Sequence, residues 1–386
     1  MEFRIAREED TPAVKKLWAY SFESHEPYFS WYFREIYRPE RTLCCFEQGA
    51  LAASLQLAPY RLKMRGQELD ACYIVGVVTS PDHRGRGIGS ALMGRALSEL
   101  QKNGVPLALL LPACPAFYFP LGFAYCYEHN AWQIPLENLR PLARGGGAWR
   151  EAEPENDIPA LQAVYDAQNR GRNGFILRSE TNWRNLLTEH KNEGGFCRLW
   201  LKDGAARGYL LYSLKDKVFR VTEMGCMDRE TQGAAFAFAL NHANEAARFD
   251  WRAAADDTTH LHLPQKSGVS RLPFVMGRLV DVQNAFERLS FPPELETAVT
   301  LRLRDSAAPW NEDAWLLRVR EGRMRLEPFS GEADAVMDVA ALSRLFFGSA
   351  SVWQLEREDA LKGRGAALEK LGALFPPCRN WLNEQG

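Results

Sequence analysis

Apolar positions along the chain follow two periods, and the changes between them mark its elements. Tyr73 to Thr79 is a β-branched run that reads as a strand. Ser80-Pro81-Asp82 turns the chain, and Leu92, Ala96, Leu97 and Leu100 then recur at helical spacing until Asn103-Gly104 stops the helix. Leu107 to Leu111 reads as a buried strand. Val299, Leu301 and Leu303 alternate with polar residues, as a half-buried strand should. Trp315 to Arg320 and Met324 to Leu326 flank Glu321-Gly322 and predict a hairpin. A helix is expected from about Val336 to Phe347, with Gly348 placed to end it.

One stretch of pattern repeats. Asp10-Thr11-Pro12-Ala13-Val14 is echoed by Asp157-Ile158-Pro159-Ala160-Leu161, each after an Arg-bearing strand pattern and before an apolar helix. An Asp can cap such a helix, and a Pro in its first turn loses no intrahelical bond. The echo suggests one domain used twice. Arg144-Gly145-Gly146-Gly147 reads as the linker, and a third segment starts near Phe291-Pro292-Pro293. The divisions expected are 1–144, 145–290 and 291–386, in a mixed α+β chain. The length agrees: 386 residues at roughly 150 per domain give two or three domains.

Composition narrows the classes. With 46% hydrophobic and 25% charged residues the chain is an ordinary globular one, not a disordered one. A net charge of -2 argues against nucleic acid as the main partner, because phosphate backbones need a basic excess. Gly104 to Tyr127 is uncharged and long enough to span a bilayer, but Pro106, Pro112, Pro115 and Pro120 interrupt it, so no membrane span is expected. The N-terminus is charged and does not read as a secretory signal. The 8 cysteines are scattered with no C-x-x-C pair, which points to buried thiols and a cytoplasmic location; adjacent Cys44 and Cys45 are the one redox candidate. His260-x-His262 lacks a third ligand, and no metal is expected.

The chemistry concentrates between the strand at 73–79 and the helix after it. There the chain reads Arg84-Gly85-Arg86-Gly87-Ile88-Gly89-Ser90. A helix N-terminus offers unpaired N–H groups and partial positive charge, which together bind phosphate. Glycines let backbone approach the phosphate oxygens, and arginines add charge. The glycine spacing fits neither a Walker loop nor the dinucleotide fingerprint.

Arg84, Gly87 and Gly89 match the [Gln/Arg]-x-x-Gly-x-[Gly/Ala] loop of the GNAT acyl-CoA N-acetyltransferases, which this sequence resembles. The resemblance implies that Arg84, Gly85, Arg86, Gly87, Ile88, Gly89 and Ser90 bind the diphosphate of acetyl-CoA. It also implies that Val77, Val78 and Thr79 hydrogen-bond the pantetheine arm. Ala116-Phe117-Tyr118-Phe119-Pro120-Leu121-Gly122-Phe123 resembles the superfamily's F-Y-x-x-x-G-F, whose Tyr protonates the leaving thiolate, so Tyr118 is the expected general acid. The whole chain resembles the Eis-like acetyltransferases. That implies a catalytic GNAT domain, a second GNAT-like domain without the CoA loop, and a sterol-carrier-protein-like C-terminal domain. Pro273 to Val282 resembles the closing strand of the second domain.

Two further expectations come from that family. Its terminal carboxylate serves as base, which here is Gly386, although the tail after Trp381 departs from the family's pattern. It forms homo-oligomers, often hexamers. Leu17 to Tyr37 interleaves Trp18, Tyr20, Phe22, Tyr28, Phe29, Trp31 and Tyr32 with Glu23, Glu26 and Glu35. Aromatic faces beside carboxylates suit a cationic amine acceptor: an aminoglycoside, a polyamine or a lysine side chain. The rival reading is a protein that holds CoA without turnover and binds a ligand or partner through its C-terminal domain.

Overall fold

Alternating and β-branched runs assemble into three sheets in the computed structural model, which describes residues 1–22, 24–265 and 268–384. The first sheet uses β1 (Glu2–Ile5), β2 (Thr42–Glu47), β3 (Ala50–Met64), β4 (Gln67–Thr79), β5 (Leu107–Leu110) and β6 (Ala124–Tyr125). The second uses β7 (Glu128–Pro135), β8 (Ala148–Glu151), β10 (Phe196–Lys202), β11 (Ala205–Lys215), β12 (Val218–Cys226), β13 (Arg248–Ala254) and β14 (Val269–Pro273). Short β9 (Phe175–Ile176) pairs with β3, and β15 (Met276–Leu279) lies between β5 and β6.

In the first sheet β4 and β5 run parallel, so a crossover must join them. That crossover is the predicted helix, Ile88–Lys102. It buries Ile88, Leu92, Met93, Ala96, Leu97 and Leu100 on the sheet. The second sheet repeats the plan, with parallel β12 and β13 joined across Arg229–Leu240. The sequence echo is real at the level of side chains. Arg4 grips Asp10 through two bonds of 2.6 and 3.0 Å, and Arg150 grips Asp157 through two of 2.6 Å. The copies differ in phase. Asp10 directly precedes its helix, Thr11–Ser21, whereas Asp157 lies inside Pro154–Gln168, so Pro159 is no longer in the first turn.

The two sheets trade strands. β7 follows β6 in the chain but sits between β14 and β13 of the second sheet. β15 follows β14 but pairs with Leu107–Leu110 and Ala124–Tyr125 of the first. This corrects the reading of Pro273 to Val282: its buried strand closes the first sheet, not the second. The division at 144 and 145 falls in a linker, yet the sheets interlock across it. An apolar run announces burial; which open edge satisfies its N–H and C=O groups is decided by packing.

The third sheet comprises β16 (Thr297–Arg304), β17 (Ala314–Arg320), β18 (Arg323–Pro328), β19 (Ala335–Asp338) and β20 (Leu361–Gly363). The expected hairpin is β17–β18. The helix expected from Val336 starts at Val339, because Asp338 caps it by accepting the Ala341 N–H at 2.8 Å, and the residues before it form β19. Buried Arg278 of β15 donates to Asp305 at 2.5 Å and to the Leu121 carbonyl, which ties this domain to the first. No helix among the described residues is long and apolar enough to cross a membrane.

Candidate acyl-transfer site

The β3–β4 pair breaks step at one place. Ser54 faces Val78 and Gln56 faces Val75, so Gly76 and Val77 together oppose Leu55 in a β-bulge. Gly76 has φ +62°, and a Cβ there would lie 2.2 Å from the Trp18 ring, so only glycine fits. Sequence reasoning missed Gly76, although a lone glycine inside a β-branched run is the signal for a bulge. β4 pairs with β5 only from Ala71 to Tyr73, and beyond Tyr73 it runs on to Thr79 without β5. The strands therefore splay, and the bulge lies on the open stretch.

The glycine loop lies just past that opening. Gly85 and Gly87 have φ of +73° and +74°, and a Cβ at either would meet nothing within 4 Å. Gly87 is the N-cap of the helix 88–102. The Ala91 N–H bonds the Gly87 carbonyl, so the N–H groups of Ile88, Gly89 and Ser90 precede the helical ladder. The Cβ positions of Gly85 and Gly87 are therefore open space beside these amides. A Cβ at Gly89 would sit 3.4 Å from Thr79 Oγ1 and 3.3 Å from the Phe117 ring, which places Thr79 and the segment before Tyr118 beside the helix start.

The two loop arginines are held in different ways. Arg84 Nε donates to the Thr79 carbonyl at 3.1 Å. Arg86 makes two 2.6 Å bonds to Glu47 of β2, with His83 Nε2 3.4 Å from the same carboxylate. The charge of Arg86 is thus matched by Glu47.

Tyr118 ends a short helix, Pro115–Tyr118, after β5. It is buried against Phe117 and Phe123, edge to face, at centroid distances of 4.9 and 6.1 Å. Burial pushes its phenol up to about 12, so it holds its proton at neutral pH. The phenol is thus a weaker acid than an ordinary thiol, so it meets a thiolate as a hydrogen-bond donor.

Beside Val75 and Gln56, where the bulge begins, is a cavity of about 200 Å³. Tyr32, Glu35, Gln56, Tyr60 and Val75 of the first unit line it, with Arg38 and Arg41 also at its wall, together with Thr181, Asn182 and Asn185 of the helix Glu180–Asn192. The aromatic segment only partly meets its expectation. Tyr32 reaches the cavity and donates to Gln56 Oε1 at 3.0 Å, while Trp18 and Trp31 are core and Tyr20 points to solvent. Glu26 bonds Ser30, and Glu35 bonds Arg34. Glu23 lies outside the described residues.

Glu189, which sequence reasoning did not single out, stands one turn beyond Asn185 on the same helix face. Half-buried, it has no side-chain hydrogen bond or ion pair among the described residues. Burial, helped by the charge of Glu193, pushes its carboxyl up to about 7. Its charge adds to the upward shifts that burial imposes on Tyr32 and Tyr60, while the cavity wall on its helix is formed by Thr181, Asn182 and Asn185.

Gly386 also lies outside the described residues, but the tail before it is placed. Trp381 and Leu382 are buried, and the Glu384 carbonyl accepts from the Tyr73 hydroxyl at 3.2 Å. The tail thus reaches the strand at the root of the cleft. Cys44 and Cys45 are both buried with their thiols pushed up by that burial, which removes the thiolate a redox role needs.

Residues 2–126 and 174–279 each match the profile of an acetyltransferase (GNAT) domain, and residues 282–383 match a sterol carrier protein domain. An uncharacterized N-acetyltransferase of Streptomyces griseus is 26% identical over 366 residues, covering 87% of this chain and 86% of that one. The N-acetyltransferase Eis of Mycobacterium tuberculosis is 23% identical over 314 residues, covering 78% and 76%. The chain carries two GNAT acetyltransferase domains and is similar along most of its length to N-acetyltransferases that include Eis. A crystal structure from Enterococcus faecalis, described as a probable N-acyltransferase, shares the fold with a TM-score of 0.90 at 22% identity over 100% of this chain and 99% of that one. GNAT enzymes take their acyl group from an acyl-CoA. In this chain the splayed strands and the glycine-capped helix opening lie next to each other in the first GNAT unit. Among the described residues no group of three metal-ligating side chains occurs.

Proposed function

We propose that this enzyme transfers acetyl from acetyl-CoA to a cationic primary amine, by direct attack in a ternary complex on the first GNAT unit. The acceptor classes are aminoglycosides, polyamines and lysine side chains. The observation that carries the proposal is that one bulged stretch, Val75 to Thr79, borders both openings: the glycine-capped helix start on one side and the acceptor cavity on the other.

The N–H groups of Ile88, Gly89 and Ser90 take the diphosphate, and Val77 to Thr79 guide the pantetheine arm to the bulge. A backbone N–H freed by the bulge stabilises the thioester oxygen as charge builds on it. The amine arrives as ammonium and must lose a proton before attack. A half-buried carboxyl near 7, one helical turn beyond Asn185 of the cavity wall, is matched to that task, which supports Glu189 as a proton acceptor for the amine. By the family's pattern the terminal carboxylate of Gly386 serves as base, a route that the approach of the tail to Tyr73 supports. Tyr118 donates to the departing sulfur. A homo-oligomer, hexameric by the same pattern, belongs to this reading and is measured by sedimentation.

Release of free CoA thiol from acetyl-CoA, across a panel of amines, tests the function. Amine-dependent release that falls about 100-fold in Tyr118→Phe, with donor binding intact, is the expected result. Donor binding with no release by any amine would instead favour a protein that only holds CoA.

A further inference from the structure

The second unit repeats the bulge of the first but fills the place beside it. In β11 and β12, Leu211 faces Glu223 and Tyr212 faces Val221, so Thr222 is the extra residue. The C-terminal tail sits on this bulge. Asn383 Nδ2 donates to the Thr222 carbonyl at 3.1 Å and to Glu223 Oε2 at 2.8 Å. Arg178 donates through both terminal nitrogens to Glu223, 2.7 Å each, and through Nε to Glu384 at 2.7 Å. Its guanidinium lies 4.2 Å from the centre of the Tyr165 ring and 4.5 Å from that of Trp183. The Tyr209 hydroxyl donates to Glu223 at 2.5 Å. Upstream, Asn380 donates to the Cys126 carbonyl and accepts from Asn173, and the Trp381 N–H bonds the Asn173 carbonyl.

Every charge here is buried or nearly so, and each is met by opposite charge or a donor. The Arg178 side chain is 2% exposed and that of Glu223 1%. Such a cluster tolerates little displacement, because a buried ion that loses its partner is costly. It therefore fixes Glu384 in one place. That place is the root of the other unit's cleft, since Tyr73, which bonds the Glu384 carbonyl, is the last β4 residue paired with β5. The charge of Glu384 also bears on Tyr60 in the acceptor cavity.

We propose that the second unit's own reaction cleft has become a socket for the C-terminal tail, and that Arg178, through Glu384, is a positioning residue for the acceptor side of the first unit. The positioning role rests on the reaction proposed above; the socket does not.

Arg178→Ala would strand Glu223 and unfold the core, so the informative variants are Glu384→Ala and Asn383→Ala. Hydrogen exchange of the tail peptide, about residues 379–384, reads the socket directly. The wild-type tail is protected, and in either variant it exchanges at least about tenfold faster. In parallel, kcat with a saturating amine falls about tenfold while the dissociation constant for acetyl-CoA stays at its wild-type value. Glu384→Gln, which keeps an acceptor for Arg178 Nε, restores part of both losses. Equal tail exchange in wild type and both variants overturns the socket. A loosened tail with unchanged kcat and amine KM overturns the positioning role. A wild type that turns over no amine sinks the reaction instead, and tail exchange alone then decides the socket.

Discussion

The two GNAT units share a frame and differ in what stands at its open end. Both place a bulge in the strand before a crossover helix, and both run that strand parallel to the next. In the first unit the helix opens on Gly87, in left-handed backbone, with open space at its Cβ position. In the second it opens on Asp228, whose own side chain accepts the Thr231 N–H at 2.9 Å. That cap, with Arg207 alongside, holds the Asp228 carboxyl down to about 2, so it is anionic where a phosphate would need to sit. A cavity of about 380 Å³ lies beside Asp228 and Arg229, so space is not what the second unit lacks. The proposed donor site thus turns on the N-cap residue of one helix. Glycine leaves the amides to a ligand; aspartate satisfies them from within and repels the ligand's charge.

The sharpest way to break this contrast is to close the first opening. Gly87→Trp puts bulk before the free amides, and acetyl-CoA affinity should fall more than about 100-fold, because the diphosphate contacts are lost together. The left-handed backbone adds a cost of about 1–2 kcal/mol, small enough against a typical stability of about 5–15 kcal/mol that the chain still folds. Calorimetric affinity within about threefold of wild type would contradict the site.

Glu189→Gln comes next. The amine-dependent kcat/KM should drop about tenfold at pH 7, and the limb of the pH profile near 7 should disappear. Stability gives an independent reading. The folded chain holds this proton up to about 7, whereas the ordinary carboxyl value is 4.5, so stability falls as pH rises between them. Glu189→Gln should flatten that fall and gain about 1–2 kcal/mol at pH 8 in urea titrations.

Arg86→Ala is expected to weaken acetyl-CoA by only about two- to fivefold, since Glu47 already matches its charge. A loss near 100-fold would mean that Arg86 leaves Glu47 for the ligand. The mildest change is Asp228→Ala in the second unit. It removes a helix cap worth about 1 kcal/mol and should leave acetyl-CoA affinity untouched.

Local features were legible in the sequence. The strand, turn, glycine loop and helix from 73 to 103 follow from period and punctuation, as does the hairpin around Glu321-Gly322. The Asp10 and Asp157 echo pointed to duplication because each Asp answers an Arg only a few residues away. Features made by distant segments were not legible. β15 looks like any buried strand, and nothing in Met276–Leu279 states that its partners are Leu107–Leu110 and Ala124–Tyr125. Glu189 reads as one more acid on a polar helix until the fold packs that helix against the cavity that Tyr32 and Tyr60 line. Arg178, Glu223 and Glu384 are separated by long stretches of chain, and only their meeting gives them meaning.

The asymmetry between the units is tested most directly by the stoichiometry of acetyl-CoA in a calorimetric titration of the full chain. One donor per chain, lost in Gly87→Trp and retained in Asp228→Ala, is the predicted result. Two donors per chain, or one site that survives Gly87→Trp, would contradict it.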